Sequence, residues 1–212
     1  MRVVLSFTLA LFLFCFPAVA TMQSAWGEIA QTLTQSTVFI KNSKGSCTGF
    51  VVHDHAKGGK DKDDDVDYVL TAEHCNGPDL YVDKHPATVK TKDDSKDLMI
   101  LEVEDLERPQ LTVAKRNPKV GDEVASYGYG YGLERPLFRV AHVSDDQSYI
   151  PFEGVGGPLI ALDASFVPGQ SGGPVVNAAG QVVMIVQMGS NIVGLGVGAE
   201  TLHDKVGRYF GK

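Results

Sequence analysis

Ser171 lies in a run of glycines and prolines that suits nucleophilic chemistry. The run reads Pro168-Gly169-Gln170-Ser171-Gly172-Gly173-Pro174. Glycines permit positive φ angles and let the backbone approach a substrate closely, so the amide N–H groups of Gly169 and Ser171 could converge on a developing oxyanion. A serine is a weak nucleophile unless a base lies beside it. The run therefore predicts a nucleophilic serine, with a plain turn serine as the alternative.

A base and an orienting acid can be picked out by their neighbours. Six histidines follow residue 20, and only His74 lies at the end of a strand-like run and beside a cysteine. A catalytic histidine needs a third group that fixes its tautomer. Asp97 directly precedes the apolar run Leu98–Leu101, so we expect a core strand to hold it, partly buried. Taken singly, His74 also fits an ordinary strand-end histidine and Asp97 a turn residue.

Three segments together resemble the trypsin-like serine endopeptidases, in that family's order. They are Thr71-Ala72-Glu73-His74-Cys75, Lys96-Asp97-Leu98-Met99-Ile100-Leu101 and Gly169-Gln170-Ser171-Gly172-Gly173-Pro174. The segment Val120–Val124 is similar to the opening of the second barrel in bacterial HtrA-like proteases, so HtrA-like and single-domain members are the nearest in character. The resemblance implies that His74 is the general base, that Asp97 orients it and that Ser171 forms an acyl-enzyme. It also implies an oxyanion hole made by the amides of Gly169 and Ser171.

The resemblance extends to substrate binding. It implies that a protein or peptide substrate adds as a strand against the edge Gln187-Met188-Gly189. Ser165 stands six residues before Ser171, where many members carry the residue at the floor of the specificity pocket. Because Ser165 is uncharged, we expect a small or medium apolar residue before the cleaved bond rather than Arg or Lys. No metal and no organic cofactor is implied.

Two positions depart from the family pattern. Gln170 replaces the Asp that pairs with a freshly cut amino terminus in zymogen-activated members, which argues against activation of that kind. Glu73 replaces an Ala beside the base. Its carboxylate either alters the pKa of His74 or simply faces solvent, and both alternatives stay open.

The elements that must position these residues are mostly strands. Two groups of about six short runs, rich in β-branched or aromatic residues, predict an all-β protein. Its architecture would be two six-stranded antiparallel β-barrels over residues 21–112 and 113–212, with the active site in the cleft between them. A short helix over 22–35 and a C-terminal helix over Ala199–Tyr209 complete the prediction. The predicted strands are Thr37–Ile40, Phe50–His53, Tyr68–Ala72, Leu80–Val82, Ala87–Lys90, Leu98–Val103, Glu123–Tyr127, Leu137–Val143, Tyr149–Ile150, Leu159–Leu162, Pro174–Asn177, Val182–Met188 and Ile192–Val197.

Residues 1–20 have the pattern of a secretory signal peptide. Arg2 precedes an apolar run from Val3 to Phe16, and Ala18-Val19-Ala20 is a small-x-small cleavage site. A retained signal anchor is the alternative. After cleavage we expect a secreted or periplasmic protein with no stable membrane insertion.

Cysteine usage agrees with export. Cys15 leaves with the predicted signal, so the mature chain keeps Cys47 and Cys75. Two cysteines in an exported protein suggest one disulfide, with two reduced thiols as the alternative. The family resemblance independently implies that Cys47 bridges to Cys75.

Composition excludes some classes of function. The 212 residues carry a formal net charge of −7, which argues against a nucleic-acid partner because such proteins present a basic face. We expect a monomer. The acidic stretch over 58–67 has alternate aspartates but lacks the glycine and glutamate of a calcium loop, so a solvated hairpin loop is favoured over calcium. His53-Asp54-His55 hints at a metal but has no third ligand nearby.

Two other functions compete with the endopeptidase. A catalytically weak or inert binding module with a protease fold is the main alternative, although inert relatives usually lack part of the triad. Gly169-x-Ser171-x-Gly173 also matches the nucleophile elbow of α/β-hydrolases, for which Glu200 and His203 are nominal partners. That elbow requires a helix after the serine, and the residues that follow here are strand-like.

Overall fold

The computed structural model describes residues 16–53, 66–149 and 156–210, and gives side chains for residues 26–52, 66–149 and 156–210. The first 15 residues, and with them most of the predicted signal peptide, lie outside the described part. So do Asp54, His55 and residues 58–65 of the acidic stretch, so the calcium and histidine alternatives there stay untested.

The N-terminal half of the chain forms a closed antiparallel β-barrel. Its strand order is β1-β2-β3-β6-β5-β4. The barrel interior holds apolar side chains from alternate strand positions, among them Val38, Val69 and Leu101. The strands are β1 (Thr37–Asn42), β2 (Gly45–His53), β3 (Val66–Thr71), β4 (Tyr81–Val82), β5 (His85–Asp93) and β6 (Leu98–Glu104).

The C-terminal half forms a second closed barrel with the same connectivity. Its strand order is β7-β8-β9-β12-β11-β10, and its core includes Leu162, Val175 and Met184. The chain passes from one barrel to the other near residue 112, because Leu111 N–H bonds to Val51 O of β2 while Thr112 O accepts from Val182 N–H. The strands are β7 (Glu123–Gly128), β8 (Leu137–Ser148), β9 (Leu159–Leu162), β10 (Pro174–Val176), β11 (Val182–Gly189) and β12 (Gly194–Gly198).

A third apolar cluster lies between the barrels and explains why β6 is apolar on both faces. Met99 and Leu101 point into the first barrel, whereas Leu98 and Ile100 belong to the cluster that also contains Ile185 of β11. A strand covered on both faces reads as a continuous apolar run rather than an alternating one. The loop that carries Asp97 is therefore anchored at the junction of the barrels.

Two helices flank the barrels. Helix α1 (Phe16–Ser36) contributes buried Ile29 and Leu33 to the inter-barrel cluster. Helix α2 (Ala199–Phe210) ends against the first barrel, where Tyr68 meets the ring of Phe210 at a centroid distance of 5.0 Å. None of the helices in the described residues has the length and apolarity needed to span a membrane.

The predicted architecture is confirmed, with differences at the ends of elements. Helix α1 begins at Phe16 rather than at residue 22 and so includes the predicted cleavage site, whose use stays a prediction. The predicted strand Tyr149–Ile150 is wrong at Tyr149, because the strand before it is longer than predicted. Strand β8 continues through register shifts to Ser148 and pairs there with Leu159, so no further strand is needed.

Candidate active site

His74 and Asp97 lie side by side at strand ends of the first barrel. His74 is in the short 3₁₀ turn Glu73–Cys75 that follows β3, and Asp97 immediately precedes β6. Asp97 Oδ2 lies 2.8 Å from His74 Nδ1, and Asp97 Oδ1 accepts the main-chain N–H of His74 at 2.8 Å. Because one carboxylate holds both the ring and its backbone, the imidazole is fixed with Nδ1–H toward Asp97, and no described residue hydrogen-bonds to Nε2.

The electrostatics favour the charged form of the imidazole. The hydrogen bond to Asp97 is the largest influence and raises the pKa of His74 above its usual value. Partial desolvation opposes this rise, and the charges of Asp97 and then Glu73 add to it. Of the two alternatives for Glu73, the structure favours an influence on the pKa of His74, because the Glu73 side chain is mostly covered. Its carboxylate forms an ion pair with Lys92 at 2.9 Å and also contributes to the raised pKa of His74.

Gln187 supports the Asp97 loop from the second barrel. Its side chain is buried, and Nε2 donates to the carbonyl oxygens of Lys96 at 2.7 Å and Asp97 at 3.0 Å. The φ of Asp97, +49°, lies in the left-handed region, where Asp is one of the few residues found besides Gly and Asn, and the hydrogen bonds from Gln187 hold the backbone in this conformation. Only the main chain of Gln187 is therefore available to pair with a substrate strand, since its side chain is bonded to the Asp97 loop.

Ser171 is held beside this pair by contacts between the barrels. Thr48 N–H donates to Ser171 O at 2.9 Å, and a Cβ on the next residue, Gly172, would lie 3.0 Å from the nitrogen of Ala72, two residues before His74. Ser171 Oγ donates to the main-chain oxygen of Gln187 at 3.2 Å. Within the described residues, no hydrogen bond joins Ser171 Oγ to His74.

The turn before Ser171 presents two free amide groups. Residues 167–170 form a type II turn, with Pro168 at its second position, Gly169 at φ +98° and a hydrogen bond from Gln170 N–H to Val167 O of 3.1 Å. Pro168 O accepts from Tyr131 N–H at 2.7 Å, so the N–H of Gly169 points the opposite way across the planar peptide. Among the described residues, neither this N–H nor that of Ser171 has a hydrogen-bond partner.

Comparison with known proteins identifies the family. The model of the trypsin-like peptidase domain matches residues 47–185. The chain belongs to the trypsin-like peptidase family. In keeping with the predicted HtrA-like resemblance, the chain is similar to a probable periplasmic serine endoprotease, DegP-like, of Hahella chejuensis, which is 33% identical over 126 residues, 56% of this chain and 26% of that protein. A protein of the same name from Chlamydia pneumoniae is 28% identical over 133 residues, which are 56% of this chain and 25% of that protein.

Solved structures agree on the fold. The Rv3671c protease of M. tuberculosis in its active form superposes with a TM-score of 0.70 at 25% identity, covering 84% of this chain and 82% of that one. The chain spans only about a quarter of the length of the two curated relatives.

Gln170 shows how this member of the family closes its nucleophile loop. Its buried side chain accepts the main-chain N–H of Val167 through Oε1 at 3.0 Å, while its own N–H returns to Val167 O. The loop is therefore closed by a local pair of hydrogen bonds rather than by an ion pair with a chain terminus. This geometry supports the prediction that the protein needs no terminus insertion.

Thr48 is a buried residue beside the candidate site that sequence reasoning missed. It is fully buried, its Oγ1 donates to Gly169 O at 2.8 Å and accepts from Tyr129 N–H at 2.8 Å, and its carbonyl accepts from Thr71 Oγ1 at 2.8 Å. One side chain thus joins β2, the segment after β7 and the nucleophile loop. The only signal in the sequence was its place next to Cys47.

The pairing of the two cysteines agrees with the disulfide prediction. Cys47 and Cys75 are bonded, and both sulfur atoms lie within 4.8 Å of a ring nitrogen of His74. The bridge joins β2 to the turn that carries His74. Because Cys75 follows His74 directly, the disulfide forms one wall of the site next to the base.

Phe166 lies between Ser165 and the Gly189 edge, the two segments predicted to surround the substrate side chain before the cleaved bond. A Cβ on Gly189 would lie 2.5 Å from Phe166 O, and a Cβ on Gly194 would lie 2.3 Å from the Phe166 ring. Ser165 is partly exposed next to it, and its main-chain oxygen accepts from the Arg139 guanidinium. The Gly189 edge and the Ser165–Phe166 segment are therefore in direct contact at Phe166, which leaves little depth between them.

Proposed function

We propose that the protein is an exported serine endopeptidase that hydrolyses peptide bonds in proteins through Ser171, His74 and Asp97. The observation that carries the proposal is the pairing of a fixed His74–Asp97 couple with two unpartnered amide groups around Ser171. A substrate carbonyl placed there would meet a nucleophile, a base and two oxyanion donors at once.

The proposed reaction begins with a rotation of the Ser171 side chain. Its Oγ leaves the main-chain oxygen of Gln187 and turns to His74 Nε2, which takes the proton as Oγ attacks the scissile carbonyl. The N–H groups of Gly169 and Ser171 stabilise the resulting oxyanion. His74 then donates its proton to the leaving amine, and the carbon–nitrogen bond breaks to give an acyl-enzyme. Water, deprotonated by His74, hydrolyses the ester and restores Ser171.

The acyl side of the substrate is proposed to add as a strand to the end of β11. The main chain of Gln187, Met188 and Gly189 would pair with it. Because Phe166 packs against Gly189, the residue before the cleaved bond would be small and apolar. Ser165 adds no side-chain charge that would attract Arg or Lys.

The proposed location is the periplasm or the outside of the cell. The signal-like pattern of residues 1–20 and the Cys47–Cys75 bridge support it, since disulfides persist in oxidising compartments. The word periplasmic also occurs in the names of both curated relatives.

Labelling with a fluorophosphonate probe tests the proposal directly. The folded protein should be labelled on Ser171 and should cleave an unfolded protein substrate, whereas Ser171→Ala should do neither. Ser148→Ala is the matched control, because Ser148 is a serine of the second barrel that lies at the end of β8. An unlabelled, folded wild-type protein would instead favour the inert binding module.

A further inference from the structure

A groove of about 1170 Å³ lies beside the site, on the first barrel. It runs between β1, the turn that joins β4 to β5, and the segment that follows β7. We call it the β1 groove, and its main lining residues are Phe39, Lys41, Lys44, Lys84, Arg108 and Tyr129. Pockets of several hundred Å³ take a drug-sized ligand, so a short peptide segment fits this volume.

The β1 groove opens next to the catalytic centre. Ser46 lines it and directly precedes Cys47, whose sulfur lies within 4.8 Å of a His74 ring nitrogen. Tyr129 also lines it, and Tyr129 O is the atom that a Cβ on Gly169 would meet at 2.4 Å. The groove therefore continues from the oxyanion turn and the disulfide wall toward the surface of the first barrel.

The charge of the groove is opposite to that of the whole chain. Its lining includes four cationic side chains and two carboxylates, whereas the chain carries −7. One carboxylate, Asp83, is already paired with Arg108 at 2.5 Å. Lys41, Lys44 and Lys84 are exposed and, within the described parts of the chain, make no ion pair. Three free ammonium groups thus face a concave, partly aromatic surface, with Glu134 as the only acid left among its lining residues to oppose them.

The direction of the substrate follows from the chemistry of the leaving group. His74 must protonate the leaving amine, so the fragment C-terminal to the scissile bond departs on the side of His74. The Cys47–Cys75 bridge lies beside His74, and Ser46, which precedes Cys47, lines the groove, whereas the acyl fragment is proposed to lie along β11. An extended chain that passes the disulfide wall therefore enters the β1 groove.

We propose that the β1 groove binds the part of the substrate that follows the cleaved bond and selects acidic side chains there. The inference rests on the proposed endopeptidase function and names the substrate class for that site. The ammonium groups of Lys41, Lys44 and Lys84 attract the carboxylates, and Phe39, Tyr81 and Tyr129 provide apolar contact for the chain between them.

A paired set of quenched-fluorescent peptides tests this selection by cleavage. All peptides share one acyl side, and the second to fourth residues after the cleaved bond are Asp/Glu, Asn/Gln or Lys. We expect kcat/KM to be about three- to tenfold higher for the acidic than for the neutral set at low salt, and lower again for the lysine set. The advantage should shrink as salt rises, because exposed charges are screened. Equal kcat/KM for all three sets would overturn the proposal.

Reversing the charge of the groove lysines tests whether they cause the preference for acidic peptides. The double variant Lys41→Glu/Lys84→Glu should lose the preference for acidic peptides and cleave the lysine set best. The double variant Lys115→Glu/Lys119→Glu carries the same charge change outside the groove and should keep the wild-type order. A double variant that still prefers acidic peptides would assign the selection to another surface.

A binding experiment separates this proposal from the proposed function. Fluorescence anisotropy of labelled acidic and neutral pentapeptides with Ser171→Ala measures the groove without hydrolysis. We expect tighter binding of the acidic pentapeptide, and loss of that difference when the two lysines are also reversed. Such binding in a protein that never hydrolyses peptides would support the groove's selection of acidic peptides but reject the endopeptidase and, with it, the assignment of the groove to the part after the cleaved bond. Hydrolysis with no difference in binding or in kcat/KM between acidic and neutral peptides would support the endopeptidase and reject the groove inference.

Discussion

The hydroxyl of Thr48 donates to the carbonyl oxygen of Gly169 at 2.8 Å, so a fully buried side chain of the first barrel orients the turn that carries the proposed oxyanion donors of the second. The same oxygen accepts the N–H of Tyr129, which leaves the hydroxyl with one donated and one accepted hydrogen bond. The two barrels are thus hydrogen-bonded to each other at the turn whose amide directions the proposed reaction requires to be fixed.

Replacing Thr48 by Val should lower kcat much more than it changes KM. Valine keeps the shape but leaves Gly169 O and Tyr129 N–H without their partner, so the Gly169 amide loses its fixed direction. Loss of one oxyanion donor typically costs about 10²–10³ in kcat, and partial misorientation should cost about tenfold or more. Steady-state kinetics on a chromogenic peptide measures this, with Thr48→Ser as the rescuing control. Equal losses in Ser and Val variants would show that the hydroxyl is not responsible.

Activity should rise with pH through the pKa of His74. The imidazole must be neutral to accept the proton of Ser171, and Asp97 holds its pKa above the usual value, so the acidic limb of kcat/KM should lie above about 6.5. Asp97→Asn should shift this limb downward and lower kcat by about 10⁴, as in other triads. A pH profile of both proteins checks the shift, and an unmoved limb in the variant would contradict it.

The same pKa shift has a consequence for stability with a defined sign. Because the pKa of His74 is raised on folding, its contribution is fully present below the unfolded value and is lost as pH rises through the folded value. Denaturant unfolding at several pH values should therefore show a smaller decrease of stability over this range in Asp97→Asn than in the wild type. An unchanged pH slope in the variant would contradict this assignment.

Phe166 should set the size of the residue accepted before the cleaved bond. Phe166→Leu removes ring volume next to Gly194, in the segment whose main chain contacts Gly189, so the ratio of kcat/KM for a leucine peptide to that for an alanine peptide should rise several-fold. Leucine keeps the site apolar, which limits the loss of stability to a few kcal/mol. Phe138→Leu is a matched aromatic control on the outer face of β8. A ratio that does not move would place the pocket elsewhere.

The disulfide should contribute both to stability and to the position of the base. Its two cysteines are 28 residues apart, and chain-entropy reasoning gives about 3–4 kcal/mol for such a loop. Cys47→Ser/Cys75→Ser should lower the free energy of unfolding by about that amount in urea titrations. It should also lower kcat at temperatures where the variant is still folded. Full activity of the folded variant would limit the bridge to a stabilising role.

The strands and several site residues can be predicted from the sequence, because each depends on a pattern of neighbouring residues. The strand runs predict each of the twelve strands in the described residues, since each carries β-branched residues between turn formers, but they also predict a thirteenth at Tyr149–Ile150 that is wrong at Tyr149. Asp97 is predictable at a strand end because it directly precedes the apolar run Leu98–Leu101, which is typical of a strand buried on both faces. The glycines of the Ser171 loop predict unusual backbone angles, and Gly169 and Gly172 do have positive φ.

Tertiary structure alone decided which distant groups support the site. Thr48 and Gly169 are 121 residues apart, and Gln187 lies 90 residues from Asp97, so no local pattern could pair them. Their hydrogen bonds exist because two closed barrels bring β2 against the nucleophile loop and β11 against the start of β6. Likewise, the lysines of the β1 groove are scattered along the chain as ordinary surface residues. Only the folding of β1 next to the β4–β5 turn gathers them into one concave surface, whose charge is opposite to that of the protein.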